Sequence, residues 1–401
     1  RHMDRLSSMG IHRRLIEHWV LHLSDALSPI PGSINPLKRI FVPIAYEGAM
    51  SPASTSTGSV ALFYLVCSAS AFHISAHMED DMEKSEFMKL ALSHQNEGLR
   101  HLQHSLLVDD PSQTEPVLAS LLMCLTYEPA TVERNFWLVH LQGVSRWLQI
   151  TKIHDWAHGE SAAILYQMLV GTAVFLRSQL LSEKISQDEN FHFDITALSG
   201  PYHLLHIFGL PKRSLEMINK MISMVVSFRH QSPNDGRGVP LLSPDLDRVE
   251  MELYLSMPPD VHTPRATPEQ NTMIHHYSQI FYYGSIIYCK RCLRGLPLKN
   301  VQSLVKEAFH HIEALAKFTG HPFSPVLWPI AIVFFETQDA HLRTRAIAWL
   351  DFIMEHSTIS LWQKAKPLII SLWEQRKVIG QEEMQWDIFL SDPSTPSIML
   401  V

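Results

Sequence analysis

AFHISAHMEDDMEKSE, residues 71–86, is the one stretch in which an apolar segment gathers ionisable groups at helical spacing. On a wheel turning about 100° per residue with His77 at the origin, His73, Asp80, Asp81 and Lys84 fall within about 60° of it. Glu79 and Glu83 point elsewhere. The segment before it, Thr55 to Phe72, is small and apolar on every side and reads as a buried helix. Elsewhere, wherever the apolar period is clear, it lies near that of a helix, and no alternating strand pattern or hairpin signal stands out. The expected fold is therefore all-α: one large domain over residues 1–401, about a dozen helices around a central apolar pocket.

The polar stripe admits two readings. Adjacent carboxylates suit Mg²⁺, which takes oxygen ligands and often bridges to phosphate. Taken alone, EDDMEK is better read as a solvated helix end, because acidic clusters on helices are common.

Composition sets limits on function. The chain has 401 residues, 46% of them apolar, so it can bury a substantial core. Its formal charge of −7 argues against direct nucleic acid contact by this chain, which would need basic patches. No apolar run is read as reaching the roughly 18 residues of a membrane span, and no signal-peptide pattern is present. Four cysteines, Cys67, Cys124, Cys289 and Cys292, make no disulfide scaffold, and Cys289-Lys-Arg-Cys292 lacks the second pair of a zinc site. A reducing, cytoplasmic location fits this cysteine usage. Arg1-His2-Met3 reads as a cloning scar running into a start methionine.

In chain order, helices are expected at about 15–27, 55–80, 84–107, 115–126, 132–150, 162–182, 212–230, 269–294, 300–318, 325–336, 340–356 and 359–378. Loops are expected at 231–244 and 258–268, and a tail from Trp386. No Gly-rich phosphate loop, Rossmann fingerprint or nucleophile elbow is present.

Three further positions carry polar chemistry on apolar helices. Arg177 is the single basic residue in the body of the 162–182 helix and needs a partner. Asn219 and Ser223 share a helix face, continued by Ser227, and could complete a magnesium shell with water. Lys290 sits among Ile287, Tyr288 and Cys289, so its ammonium must snorkel, pair with a core carboxylate or bind an anion. On the same helix, Tyr282 and Tyr283 could form an aromatic wall for a cation, or simply pack.

Much of the chain resembles the regulatory domain of fungal zinc-cluster transcription factors. The carrying segments are LIEHWVLHLSDALSPI (15–30), NPLKRIFVPIA with SPA (35–53) and FWLVHLQGVSRWL (136–148). They continue with VLWPIAIVFFET and HLRTRAIAWL (326–350), LWEQRK (372–377) and Trp386. The resemblance implies an all-helical domain, which in some members holds a hydrophobic effector. Such factors read DNA with a six-cysteine zinc cluster, a pattern this sequence does not contain. That departure implies an excised regulatory domain or a relative that does not bind DNA.

The layout also resembles class I terpene cyclases. Asp80-Asp81-Met82-Glu83, Arg177, Asn219-x-x-x-Ser223 and the Tyr283/Lys290 helix follow one another as an acidic element, a diphosphate sensor, an N-x-x-x-S helix and a closing basic–aromatic element. Ser227 stands where that family's last Glu belongs, and no Arg-Tyr pair closes the pattern. The atypical fungal humulene synthases of tropolone-sesquiterpenoid pathways are more similar. They use a late-helix lysine with a product-controlling apolar residue one turn earlier, matched here by Lys290 and Ile286.

Two functions are therefore carried forward. The first is a Mg²⁺-dependent sesquiterpene cyclase acting on an isoprenoid diphosphate, farnesyl diphosphate. Asp80, Asp81, Asn219 and Ser223 would hold the metal, and Lys290 and Arg177 the diphosphate. Tyr282, Tyr283, Phe281 and Ile286 would shape the substrate. The second is an effector-binding regulatory domain, nuclear in location and without chemistry. The cyclase is placed first, and a homodimer is compatible with either. Lys290 separates them: a cyclase aims it at the Asp80–Asp81 cavity, whereas a regulatory domain pairs it with a core carboxylate or lets it snorkel.

Overall fold

The computed structural model describes residues 9–32, 35–108, 110–126, 136–151, 159–179, 200–231, 243–260, 266–318, 324–357 and 361–392, together with 263, 359, 394–396, 398 and 400. The all-α expectation holds: among the described residues there are helices and turns and no strand. The scar expected at residues 1–3 and the SPNDGRG stretch of the expected loop lie outside them.

The described residues fall into two compact units, with the division inside one helix at Val170–Gly171. The first unit holds α1 (Met9–His18), prolonged by a π-helical turn, α2 (Phe41–Met50), α3 (Gly58–Ala76), α4 (Asp81–Leu106), α5 (Thr114–Thr126) and α6 (Phe136–Ile150). The helix carrying the division is α7 (Glu160–Arg177). The second unit continues with α8 (Leu204–Phe208), α9 (Lys212–Gln231), α10 (Pro244–Tyr254), α11 (Pro268–Tyr288), α12 (Gln302–Leu315), α13 (Leu327–Phe335), α14 (Ala340–His356), α15 (Leu361–Gln375) and α16 (Trp386–Ser391).

In the first unit α3 is the axis, packed by α1, α2, α4 and α5. Every residue from Gly58 to Ser75 is buried, which accounts for its apolar character all round. It corrects one sequence reading: its 19 residues are long and apolar enough to span a bilayer by length and composition. Within the unit that surface, 94% buried, is covered by neighbouring helices instead. Small residues permit the close packing: a Cβ on Gly48 would lie 2.0 Å from the Ser59 carbonyl oxygen, so α2 and α3 approach backbone to backbone only because residue 48 has none.

In the second unit α11 is the axis, contacted by α8, α9, α10, α12 and α13. Its start is fixed by a capping box, Thr267 with Gln270, and by Pro268 in the first turn. Helix α13 is buried along its whole length, and α15 packs on it. Helix α10 lies between the two expected loops, where the sequence reading placed no helix. It begins after Ser243 with Pro244, has Asp245 and Asp247 in its first turn, and buries Leu246, Val249 and Leu253.

Candidate functional site

The 71–86 stripe is not one helix face. Helix α3 ends at Ala76 with His77 as its C-cap, and α4 starts at Asp81 with Asp80 as its N-cap. The Asp80 carboxylate accepts from the Glu83 backbone N–H at 2.8 Å. A wheel drawn through 77–80 crosses a break in the chain's direction, so the phase linking His73 to Lys84 does not exist. Asp80 and Asp81 are exposed. Asp80 caps the helix, and Asp81 in its first turn complements its positive end. His73 is buried and shares a 2.8 Å hydrogen bond with His18.

The remaining residues expected to form the site belong to the second unit. Arg177 and Asn219 do meet: the guanidinium donates to Asn219 Oδ1 at 2.9 Å. The amide oxygen proposed for a metal thus serves a buried cation, whose pKa burial holds below its ordinary value. Ser223 is half-buried, and its carbonyl accepts from the Ser227 hydroxyl. Ile286 and Phe281 are both buried in the core. Tyr283 packs edge-on against Tyr282 and stacks on His311, with centroids 6.0 Å apart.

Lys290 takes the outcome expected of a regulatory domain. Its Nζ donates to Glu250 Oε1 at 3.0 Å and lies 5.7 Å from the Tyr254 ring centroid. Burial lowers its pKa, but the hydrogen bonds to Tyr254 and Glu250 outweigh burial and hold it above the usual lysine value. Both Glu250 and Tyr254 lie on α10, the helix with no counterpart in the sequence reading.

A buried ionic knot lies nearby in the same unit. Glu336, with 0% exposure, accepts from Arg291 Nε at 2.7 Å and from Arg376 Nη2 at 3.1 Å. Arg291 also reaches the Leu296 carbonyl and Glu383, and Arg376 donates to the carbonyls of Met384 and Phe335. Every sequence segment that carried the transcription-factor resemblance in this unit converges here. Glu336 ends VLWPIAIVFFET, and Arg376 lies in LWEQRK, where Trp373 Nε1 donates to the Phe334 carbonyl at 2.9 Å. Trp386 stacks on Phe335 with centroids 5.9 Å apart, and Arg343 of HLRTRAIAWL donates to the Thr337 carbonyl. These motifs are architectural. Cys289 and Cys292 form no disulfide and are buried, and burial pushes the Cys289 thiol up to about 12.

One group among the described residues has donor atoms placed to share a metal ion: His275, His276 and His311, whose ligand atoms all lie within 4.8 Å of one another. His275 and His276 sit early in α11 and His311 lies on α12. His276 Nδ1 and His311 Nδ1 are 3.0 Å apart, one donating and the other accepting. His275 Nδ1 lies 3.0 Å from Asp260 Oδ1. Burial, then the neighbouring imidazoles, lowers His276 and His311 to about 4. Sequence reasoning missed the cluster. The signal available was two His-His pairs, 275–276 and 310–311, on consecutive helices.

The profile of the fungal specific transcription factor domain matches residues 14–399. Searches of curated proteins and of solved structures gave no match. The match overturns the reading placed first: terpene cyclase, with its humulene product and farnesyl diphosphate substrate, is replaced by the regulatory-domain reading. The physical reasons agree. The acidic element is a helix cap, and the diagnostic lysine is neutralised by a carboxylate of its own unit. The chain belongs to the fungal specific transcription factor domain family.

Proposed function

We propose that this chain is the regulatory domain of a fungal transcription regulator, acting by binding and conformational response rather than by catalysis. The observation that carries this reading is the family match over residues 14–399. The gathering of the resembling segments 326–350 and 372–377 and Trp386 around the buried Glu336 supports it, because it gives those segments an architectural role within the matched domain. In this reading an effector or protein partner shifts the population of two packed states, which requires different affinity for each. The nucleus is the location that accompanies it.

The test is a fusion of the chain to a heterologous DNA-binding module at a reporter promoter in a fungal cell. The fusion is expected to change reporter output severalfold relative to the module alone. Equal output from the two, at equal protein levels, would show that the chain has no regulatory activity of its own.

A further inference from the structure

The second unit contains an arrangement that transcriptional regulation does not account for. In a tetrahedral zinc site with Zn–N distances of about 2.0–2.1 Å, two ligating nitrogens stand roughly 3.3 Å apart. His276 Nδ1 and His311 Nδ1 are already 3.0 Å apart, so an ion could replace the hydrogen bond once the donating ring shifts its proton to Nε2, both rings turn toward the ion and the nitrogens separate by a few tenths of an ångström. His275 supplies a third imidazole, and all three donor atoms lie within 4.8 Å.

The outer contacts also fit. A metal-bound histidine usually donates its other N–H to a carboxylate, which fixes the tautomer and ring orientation. His275 Nδ1 faces Asp260 Oδ1 at 3.0 Å, leaving Nε2 as the ligating atom. Tyr283 stacks on His311 and limits its ring rotation. The three rings are half-buried, with the His275 side chain 32% exposed, so an ion has a path in and a water can fill a fourth position. Imidazole donors select zinc, copper, nickel or cobalt over magnesium or calcium.

We propose that His275, His276 and His311 form a binding site for a divalent transition metal ion of the zinc class, with Asp260 orienting His275. The ion would tie α11 to α12. The proposal stands whether or not the chain regulates transcription.

The experiment is equilibrium dialysis of the chelator-stripped full chain against Zn²⁺ and, separately, Mg²⁺, with metal content read by elemental analysis. The chain has 24 histidines, so the decisive comparison is wild type against the double variant His276→Gln/His311→Gln. The variant is expected to lose one tight zinc equivalent, and Asp260→Asn to weaken that equivalent about 10-fold. Unchanged stoichiometry and affinity in a double variant of wild-type helicity would overturn the site. If the double variant loses helicity, the wild type decides alone. Zn²⁺, and not Mg²⁺, is expected to protect His275, His276 and His311 from carbethoxylation mapped by mass spectrometry. Absence of protection, or equal protection by Mg²⁺, overturns the proposal.

Discussion

Arg291 donates through Nε to Glu336 Oε2 at 2.7 Å, and neither side chain is more than 2% exposed. Arg376 holds the other carboxylate oxygen. One buried anion therefore serves two buried cations, and the surplus positive charge is spread onto carbonyls and Glu383. Burying charge is costly unless every member is satisfied. This triad joins the turn after α11, the end of α13 and the end of α15, so it fixes how those three helices register.

Glu336→Ala should therefore be strongly destabilising. It leaves two guanidiniums buried without their shared partner, a change worth about 3–5 kcal/mol. Replacing all three as Arg291→Met, Glu336→Leu and Arg376→Met should recover most of that loss, because the one charge left without its partner, Glu383, is exposed and keeps the Leu298 N–H. Denaturant unfolding of both proteins checks this. A loss below about 1 kcal/mol for the single substitution would mean that water reaches the triad.

The Lys290–Glu250 pair predicts an asymmetry. Glu250 also accepts from Arg294 Nε at 2.9 Å, so it neutralises two cations. Lys290→Met should cost only about 1 kcal/mol, because Glu250 keeps Arg294. Glu250→Ala should cost about 1.5–3 kcal/mol, because it removes the carboxylate from Lys290 and one of the two carboxylates that hold Arg294, the other being Asp247. Equal costs for the two substitutions, measured by the same unfolding assay, would show that Arg294 is held by Asp247 alone.

The all-helical class was legible because α3, α11 and α13 are long apolar runs without strand alternation. The candidate site was only partly legible, and the reasons differ by residue. Asp80-Asp81-Met82-Glu83 is also a capping sequence, with Asp at the N-cap and Glu three residues on, and the cap is what folds there. Helix α10 could have been found from Pro244 and the spacing of Leu246, Val249 and Leu253, and with it the partner of Lys290. The Arg291–Glu336–Arg376 triad was not legible, since its members are 45 and 40 residues apart and only packing brings them together. The regulatory family was visible in the order of the motifs. Arg177, Asn219 and Lys290, polar groups on apolar helices that suggested ligand binding, instead have partners within their own unit.

If Asp80 is a cap, its substitution should behave as one. Asp80→Ala should cost about 1 kcal/mol, and Asp80→Asn or Asp80→Ser should restore most of it, since either can accept from the Glu83 N–H. Thermal unfolding of the three variants reads this directly. Loss of stability in Asp80→Asn as large as in Asp80→Ala would show that charge rather than hydrogen bonding is what the position supplies.

The histidines predict an acid-sensitive fold in a particular pH window. Burial, followed by the charge of His12, lowers His94 to about 4, with Glu97 opposing. Its ring also faces Tyr64 on α3. Burial and the neighbours His77, His18 and His22 lower His73 to about 3. Burial and His22 lower His18 to about 4. In the unfolded chain each titrates near about 6.5. Between the two values the unfolded state carries the proton and the folded state does not, so stability rises with pH through the window. It is complete above about 6.5 and is lost as pH falls toward about 4, before most carboxylates are protonated. His94→Gln cannot charge, so it should flatten the slope of unfolding free energy against pH by up to about 1.4 kcal/mol per pH unit. Denaturant midpoints measured between about pH 7 and pH 5 test the window. A wild-type midpoint that does not move across that range would mean that these imidazoles find solvent or counter-charges on protonation.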